Sequence, residues 1–281
     1  MPDLHAEFRD PQSTESSLLE EFLDEVDRIP GMRNLHAAMR TALGLRPGMR
    51  VLDAGCGTGL EITRLAKEHP DVTFTGLDQN EQLLAAARRR ATLPNVEWVH
   101  TALEAAELPE RHFDAIRTER VLMYSPDPAF GWLLDLLIRL LRPGGRLVLF
   151  ELDYGAIILP VDGHDDMAVR TLTGLLERAM PQPWAGRKIP AELAARSMSD
   201  VTAEPYAMAA NEQVWRPIVH DTLREALRRD PSAPPELHAW LDDHAARLSD
   251  VPLSAVFTGI LTTARTTLTT EFALDTIGSA R

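Results

Sequence analysis

Residues 51–66 read VLDAGCGTGLEITRLA, and this stretch decides the fold. An apolar, strand-like run is followed by three closely spaced glycines, Gly55, Gly57 and Gly59, and then by apolar residues at helical spacing. Glycine lets the backbone turn sharply and lets a ligand approach it closely. Asp53 adds a carboxylate two residues before the first glycine. The stretch therefore predicts a strand, a ligand-binding turn and a helix.

The residues of this turn separate three classes of ligand. A phosphate-binding loop of the Walker type needs Lys and then Ser or Thr after its last glycine, whereas Gly59 is followed by Leu60 and Glu61. A dinucleotide fingerprint, G-x-G-x-x-G, has its third glycine where this chain has Leu60. Asp53 would repel a pyrophosphate but would attract a ligand that carries an ammonium and a sulfonium. The turn therefore favours S-adenosylmethionine, which has both positive charges.

Strand-like and helix-like segments alternate along the next hundred residues. The predicted strands are VLDA, VTFTGLD, VEWVHT, FDAIRT and RLVLFEL, which begin at Val51, Val72, Val96, Phe113 and Arg146. Helices are predicted over 80–92 and 129–141, the second with Asp127 as its N-cap and Pro128 at its first position. This alternation predicts a parallel sheet with helices on both of its faces.

After Tyr154 the alternation ends. We predict a helix over 164–180, a strand over 201–208, mostly helix over 211–248 and a last strand from Ser254, where β-branched residues are frequent. Because no long linker interrupts the chain, we expect one domain over 1–281. Its predicted parts are a helical N-terminal segment over 1–45, a ligand-binding core over 46–155, an elaboration over 156–250 and the final strand over 251–270.

Composition restricts the partners. The formal net charge is −13, from 29 basic and 42 acidic residues, which disfavours binding to nucleic acid. The single cysteine, Cys56, rules out an intramolecular disulfide. The histidines show no metal-ligand spacing, so no metal site is predicted. Neither a secretory signal nor an apolar run long enough to cross a membrane is visible, so we expect a cytoplasmic protein.

A second carboxylate, Asp78, ends the second predicted strand. Its two oxygens can accept hydrogen bonds from both hydroxyls of a ribose. The same position is acidic in dinucleotide-binding enzymes. Asp78 therefore predicts a ligand that contains ribose, but it does not distinguish S-adenosylmethionine from a dinucleotide.

Five motifs in order carry a resemblance to a known family: VLDAGCGTG, GLDQN, EAAELP, FDAIRTERVLMYSPDP and LRPGGRLVLFELD. Together they resemble the class I S-adenosylmethionine-dependent methyltransferases, closest to the small-molecule type of ubiquinone and menaquinone biosynthesis. The resemblance implies an α/β fold with a Rossmann-like, doubly wound sheet of about seven strands. It also implies that the sheet is mostly parallel with an antiparallel last strand, and that residues 1–45 form a helical lid over the cofactor.

The resemblance also assigns the cofactor site, residue by residue. Glu104 stands where the family has an aspartate beside the adenine, and Arg120 is placed to pair with the methionine carboxylate. The cofactor-binding residues expected for S-adenosyl-L-methionine are Asp53, Gly55, Cys56, Gly57, Gly59, Asp78, Gln79, Leu83, Glu104, Ala105, Thr118, Glu119 and Arg120. Cys56 has a second interpretation, as a small residue that only packs in the turn.

The catalytic residues are less defined by the sequence. A general base is needed if the acceptor is a hydroxyl, and the candidates near the expected site are Tyr124, Glu119, Asp153 and His164. Relatives often have HH or QH where this chain has Met123 and Tyr124, so the usual histidine is replaced. Tyr124 can alternatively be a wall of the pocket. The aromatic residues that either line an acceptor site or pack in the core are Tyr154, Trp184, Trp215 and Phe257.

Two functions follow from the resemblance. The first is transfer of a methyl group to oxygen, nitrogen or carbon of a small organic molecule in bacterial natural-product or cofactor biosynthesis. The alternative is an enzyme of this fold that binds S-adenosylmethionine but catalyses a non-methylating reaction, as a cyclase, pericyclic catalyst or hydrolase. The expected partner is a small-molecule acceptor, with neither nucleic acid nor membrane, and a homodimer is left open.

Overall fold

The computed structural model describes residues 4–10, 16–159, 166–229, 237–239, 241–242 and 255–267. Within these residues seven strands form one sheet: β1 Arg50–Ala54, β2 Thr73–Asp78, β3 Val96–His100, β4 Phe113–Glu119, β5 Leu141–Leu152, β6 Ser199–Ala210 and β7 Ala255–Arg265. Their order is β3-β2-β1-β4-β5-β7-β6. The first five strands are parallel, and β7 is antiparallel to both β5 and β6. This sheet confirms the predicted fold class.

Helices flank the sheet on both sides. Those that the structure describes are α1 Leu4–Arg9, α2 Ser16–Arg28, α3 Pro30–Leu43, α4 Leu60–Glu68, α5 Glu81–Arg90, α6 Ala129–Leu140, α7 Asp166–Ala179, α8 Ala185–Ala195, α9 Glu212–Trp215 and α10 Asp221–Arg229. A π-helical turn, Arg216–His220, joins α9 to α10. Short 3-10 turns occur at Leu103–Ala105, Leu122–Tyr124 and Tyr154–Ala156. None of the helices within this described part of the chain has the length and apolarity needed to cross a bilayer.

The strand order explains where a ligand can bind. β1 lies between β2 and β4, so the chain leaves β1 in one direction and reaches β4 in the other. In such sheets the ligand-binding crevice lies beyond the carboxyl ends of the strands at this switch point. The loops that follow β1, β2 and β4 meet there, because all three strands are parallel and end at the same edge.

Three details of the sequence-based assignment differ from the structure. The helix predicted over 129–141 begins at Ala129, with Pro128 instead of Asp127 at the N-cap position, and it ends at Leu140 because Leu141 already pairs with Phe113 in the sheet. Helix α8 was not predicted, since Pro190 interrupts its pattern. The strand predicted over 201–208 is longer and runs from Ser199 to Ala210.

Candidate active site

A cavity of about 410 Å³ lies at the switch point of the sheet. Its floor is formed by the loops after β1, β2 and β4, and helices α1 and α2 contribute the opposite wall. Its volume lies within the range of about 300–1,000 Å³ that is usual for small-molecule sites. The cavity has a polar end near the glycine turn and an apolar, aromatic end near α1.

Two glycines of the turn, Gly55 and Gly57, serve different purposes. Gly55 has φ +78°, and a Cβ there would lie 2.3 Å from Val121 Cγ2. Gly57 has φ +53°, but a Cβ there would meet only Leu23 Cδ1, at 3.4 Å, on the side of the cavity. Gly57 therefore leaves room for a ligand to approach the backbone, whereas Gly55 serves packing.

Asp78 connects the end of β2 to this turn. Its Oδ2 accepts a hydrogen bond from Gly57 N at 2.8 Å, and its Oδ1 accepts one from Asn80 N at 2.9 Å. Burial raises the pKa of Asp78 and outweighs the hydrogen bonds from the backbone N–H groups, which lower that pKa. Each carboxylate oxygen can accept more than one hydrogen bond, so both remain able to accept from a diol in the cavity.

Asp53 does not face the cavity, which corrects the sequence-based argument. Its side chain is buried in β1, and Arg117 Nη1 donates a hydrogen bond to its Oδ2 at 2.5 Å. Burial lowers the pKa of Arg117, but the charges of Asp53 and Glu119 outweigh burial and raise it. The guanidinium thus neutralises the carboxylate that was expected to attract the ligand. Sequence reasoning could not detect this pair, because the two residues are 64 positions apart.

Glu119, at the end of β4, lines the cavity together with Asp78 and Glu104. Its side chain accepts hydrogen bonds from Arg117 at 2.8 Å, from Arg120 at 2.9 Å and from His36 at 2.9 Å. Burial alone would raise the pKa of Glu119, but His36, Arg120 and Arg117 outweigh it and hold the pKa well below its usual range. The same contacts make Glu119 a weak base.

His36, on α3, joins this cluster to the helices that cover the site. Its Nδ1 lies 3.4 Å from Asp27 and 3.5 Å from Glu61, and its Nε2 bonds Glu119. Burial lowers the pKa of His36, but Glu119, Asp27 and Glu61 outweigh burial and raise it to about 9. The imidazole is therefore a cation at neutral pH.

The Asp27, His36 and Glu61 side chains have ligand atoms within 4.8 Å of one another, which is close enough for a metal ion. However, Arg64 donates to both oxygens of Asp27, at 2.7 and 2.6 Å. Arg40 donates to both oxygens of Glu61, at 3.0 Å each. The carboxylates already neutralise guanidinium groups, so this cluster does not fit a divalent cation.

The structure places the predicted cofactor residues in two groups. Those that line the cavity are Gly55, Cys56, Gly57, Asp78, Gln79, Leu83, Glu104, Glu119 and Arg120. Those that do not are Asp53, Gly59, Ala105 and Thr118. Gly59 instead makes room for Trp98, whose ring would lie 2.3 Å from an added Cβ. Burial, followed by the charges of Asp78 and Asp53, raises the pKa of the Cys56 thiol well above its ordinary value, so the thiol stays protonated.

Tyr124 lines the apolar end of the cavity and is positioned by Glu151. Glu151 is buried, and it accepts hydrogen bonds from the backbone N–H groups of Val121, Leu122 and Met123 at 2.9, 2.8 and 3.2 Å. Burial raises the pKa of Glu151 to about 7, although these N–H groups lower it. The carboxyl group thereby organises the 3-10 turn that ends in Tyr124.

His5, on α1, is a site residue that sequence reasoning missed. Its Nδ1 lies 3.0 Å from Tyr124 Oη, and its Nε2 lies 3.0 Å from Tyr154 Oη. His5 and both tyrosines line the cavity. No sequence signal marks residue 5, because its partners lie 119 and 149 residues away.

The remaining residues that the sequence suggested either do not line the cavity or lie outside the described residues. Trp184 is 41% exposed, and the buried Trp215 and Phe257 do not line the cavity. Asp153 is bound by Arg187 at 2.5 and 2.7 Å, away from the cavity lining. His164, the third catalytic candidate, lies outside the described residues.

Comparison with known proteins identifies the class. Residues 51–145 match the family profile described as a methyltransferase domain. The chain is 36% identical over 141 residues to 27-O-demethylrifamycin SV methyltransferase of Amycolatopsis mediterranei, an alignment that covers 48% of this chain and 47% of the relative. The chain spans less than half the length of the curated relatives it matches. Residues 51–145 are thus similar to a methyltransferase domain.

Solved structures agree on the fold. Phosphoethanolamine N-methyltransferase 2 of Haemonchus contortus, in complex with S-adenosyl-L-methionine, has a TM-score of 0.55 and 17% identity, over 92% of this chain and 60% of that one. The cyclase SpnF has a TM-score of 0.52 and 18% identity, over 84% and 81%. At such identities the similarity shows the fold alone. One of these similar structures, the cyclase SpnF, is not named as a methyltransferase.

Proposed function

We propose that this protein transfers a methyl group from S-adenosylmethionine to a small organic acceptor. The observation that carries the proposal is a single cavity with two unlike ends. One end holds the glycine turn, Asp78 and Glu119, and the other holds His5, Tyr124 and Tyr154. A sulfonium cofactor and an apolar acceptor would meet between these two ends, which is the arrangement that methyl transfer needs.

The residues at the polar end fit the cofactor. Gly57 leaves the backbone open to a ligand, and Asp78 can accept hydrogen bonds from the ribose hydroxyls. Glu104 is available to the adenine, and Glu119 and Arg120 offer a negative and a positive charge to the methionine ammonium and carboxylate. When bound, the cofactor supplies an electrophilic methyl group on a sulfonium.

The residues at the other end suit an apolar acceptor. Phe8 lies 5.9 Å from Phe22 and stacks on Tyr124 at 6.4 Å between ring centroids. Apolar side chains from α2, α6 and β5 also line the cavity: Leu19, Leu23, Val26, Leu133 and Leu152. We infer that the acceptor is a small, largely apolar molecule of natural-product or cofactor biosynthesis, and that residues 1–45 act as a lid over the cofactor.

The experiment incubates the purified protein with S-adenosylmethionine that carries a ¹³C-methyl group and a panel of apolar hydroxylated, amino and carboxylated compounds. Mass spectrometry is expected to show a labelled methylated product and S-adenosylhomocysteine in equal amounts. A variant with Asp78→Ala is the matched control, because it should reduce both products together. Formation of neither product with any acceptor would contradict methyl transfer.

The second candidate function is a non-methylating reaction in the same cavity. It is favoured by the replacement of the usual histidine by Tyr124 and is consistent with the likeness to the cyclase SpnF. In this case the cofactor remains unchanged after turnover, and the product has the mass of the substrate after a cyclisation or pericyclic reaction and contains the elements of water after a hydrolysis. The same mass spectra therefore distinguish the two functions.

A further inference from the structure

Methylation of a hydroxyl group requires a base, and the sequence offers none at the usual position. We propose that His5 takes the acceptor's proton, through Tyr124, and that the acceptor is therefore an alcohol or a phenol on an apolar skeleton. This inference rests on the proposed function. It names the proton acceptor and the substrate class of the same site.

The geometry that carries the inference is a chain of three side chains. The imidazole of His5 is 3% exposed and lies between two phenol groups, with 3.0 Å from Nδ1 to Tyr124 Oη and 3.0 Å from Nε2 to Tyr154 Oη. Both distances are those of hydrogen bonds. A neutral imidazole donates at one nitrogen and accepts at the other, so it can receive a proton from one tyrosine while it donates to the other.

The two tyrosines differ in their access to the cavity. Tyr154 is only 1% exposed, whereas Tyr124 is half-buried and ends the 3-10 turn Leu122–Tyr124 that follows β4. Tyr124 is therefore the group that an acceptor hydroxyl can reach. In the productive tautomer Nδ1 of His5 accepts from Tyr124 Oη, and Nε2 donates to Tyr154 Oη.

The step balances without a further reactant. The acceptor oxygen forms a bond to the methyl carbon while the carbon–sulfur bond breaks, and sulfur keeps the electron pair. The hydroxyl proton of the acceptor moves to Tyr124 Oη as the phenolic proton of Tyr124 moves to His5 Nδ1. His5 becomes an imidazolium, whose Nε2–H is held by Tyr154, and later releases the proton to water.

The other candidate bases within the described residues are already occupied. Glu119 is bound by three cations, and Asp153 is bound by Arg187. Glu151 accepts from three backbone N–H groups and does not line the cavity. Histidine is the side chain whose ordinary pKa lies nearest neutrality, which suits it to this role.

The substrate class follows from the base together with the wall. A carboxylate acceptor is already ionised at neutral pH and needs no base. A hydroxyl does need one, and the cluster of aromatic rings of Phe8, Phe22 and Tyr124 beside His5 favours an apolar carrier for it.

The test uses para-nitrophenol, whose phenolate absorbs visible light and whose phenol form does not. The dye is added to the protein saturated with S-adenosylhomocysteine, at a pH where the free dye is mostly protonated. Bound dye is expected to show phenolate absorption, because its proton moves toward His5. In His5→Gln the bound phenolate fraction should fall on the order of tenfold or more. Tyr124→Phe should lose the signal as well, since it interrupts the path to His5.

The matched control is His112→Gln, because His112 lies at the start of β4, at the sheet edge opposite the cavity. This variant should keep the wild-type absorption. Dye that binds the wild type without ionising, that fails to bind, or that ionises equally in His5→Gln would overturn the proposal. Calorimetry with S-adenosylhomocysteine distinguishes a failure of the proposed function from a failure of the role of His5. No binding to the wild type contradicts the proposed function. Normal binding together with a negative dye result contradicts only the role of His5.

Discussion

The carboxylate of Asp78 is the residue on which the placement of the ribose depends. Asp78→Ala removes the acceptor for two ribose hydroxyls, and it also frees the N–H groups of Gly57 and Asn80. We expect the binding of S-adenosylhomocysteine to weaken by about 1–3 kcal/mol, measured by calorimetry. Asp71→Ala is the control, because Asp71 is exposed and precedes β2 at its other end. Equal affinity in Asp78→Ala and the wild type would show that the ribose lies elsewhere.

Two effects of Gly57 can be tested separately: the access of the cofactor to its backbone, and the cost in stability of a side chain at a positive φ. Gly57 and Gly48 both have positive φ, +53° and +81°, and neither would place an added Cβ closer than 3.4 Å to another atom. Gly57→Val and Gly48→Val should therefore cost similar stability, about 1–2 kcal/mol by thermal unfolding. Only Gly57→Val should abolish calorimetric binding of S-adenosylhomocysteine, because only Gly57 lines the cavity. Retained tight binding in Gly57→Val would contradict the close approach.

Helix α1 is the element that completes the site. It has six residues, so it is too short to be stable alone and depends on packing against the rest of the protein. Its contacts pass through His5 and Phe8 to Tyr124, Tyr154 and Phe22 at the apolar end of the cavity. The loop that carries Tyr124 is held separately, by Glu151. The acceptor end of the site is thus assembled from elements that are 119 and 149 residues apart along the chain.

If α1 is part of a lid, ligand binding should stabilise it. We expect backbone amides of Leu4–Arg9 to exchange hydrogen more slowly when S-adenosylhomocysteine is bound, as measured by mass spectrometry. The control segment is β6, Ser199–Ala210, at the far edge of the sheet, whose exchange should not change. An unchanged exchange rate in α1 would argue against residues 1–45 as a lid over the cofactor.

At the scale of the whole molecule, the cluster of His36 with Glu119, Asp27 and Glu61 makes the free energy of unfolding depend on pH. The pKa of His36 is raised from 6.5 to about 9 by Glu119, Asp27 and Glu61. A raised folded-state pKa contributes stability that is complete below pH 6.5 and is lost as the pH rises through 9. The contribution is on the order of 3 kcal/mol.

The measurement is the free energy of unfolding in urea across this range of pH. The wild type should lose stability toward pH 9, and His36→Gln should be less stable near pH 6.5 and lose less stability over the same rise. Parallel curves for the two proteins would show that His36 does not carry a proton in the folded state.

What the sequence by itself determined is local. The glycine turn, Asp78 and the alternation of strands and helices lie within short stretches, because turn formation and hydrophobic periodicity act between near neighbours. From these features the parallel sheet, the ligand-binding turn after β1 and the ribose-binding role of Asp78 were predicted, and the resemblance to the methyltransferases rests on the same motifs.

Only the tertiary structure decided which charges face the ligand and where a base is found. Asp53 was predicted to meet a cation directly, but it is buried in β1 and bound by Arg117 from β4, and Asp78 and Glu119 are the strand-end carboxylates that line the cavity. His5 reaches Tyr124 and Tyr154, which are 119 and 149 residues away along the chain. The physical reason is the same in both cases: burial and Coulomb interactions depend on distance in space, and the folded packing alone sets which distant side chains become neighbours.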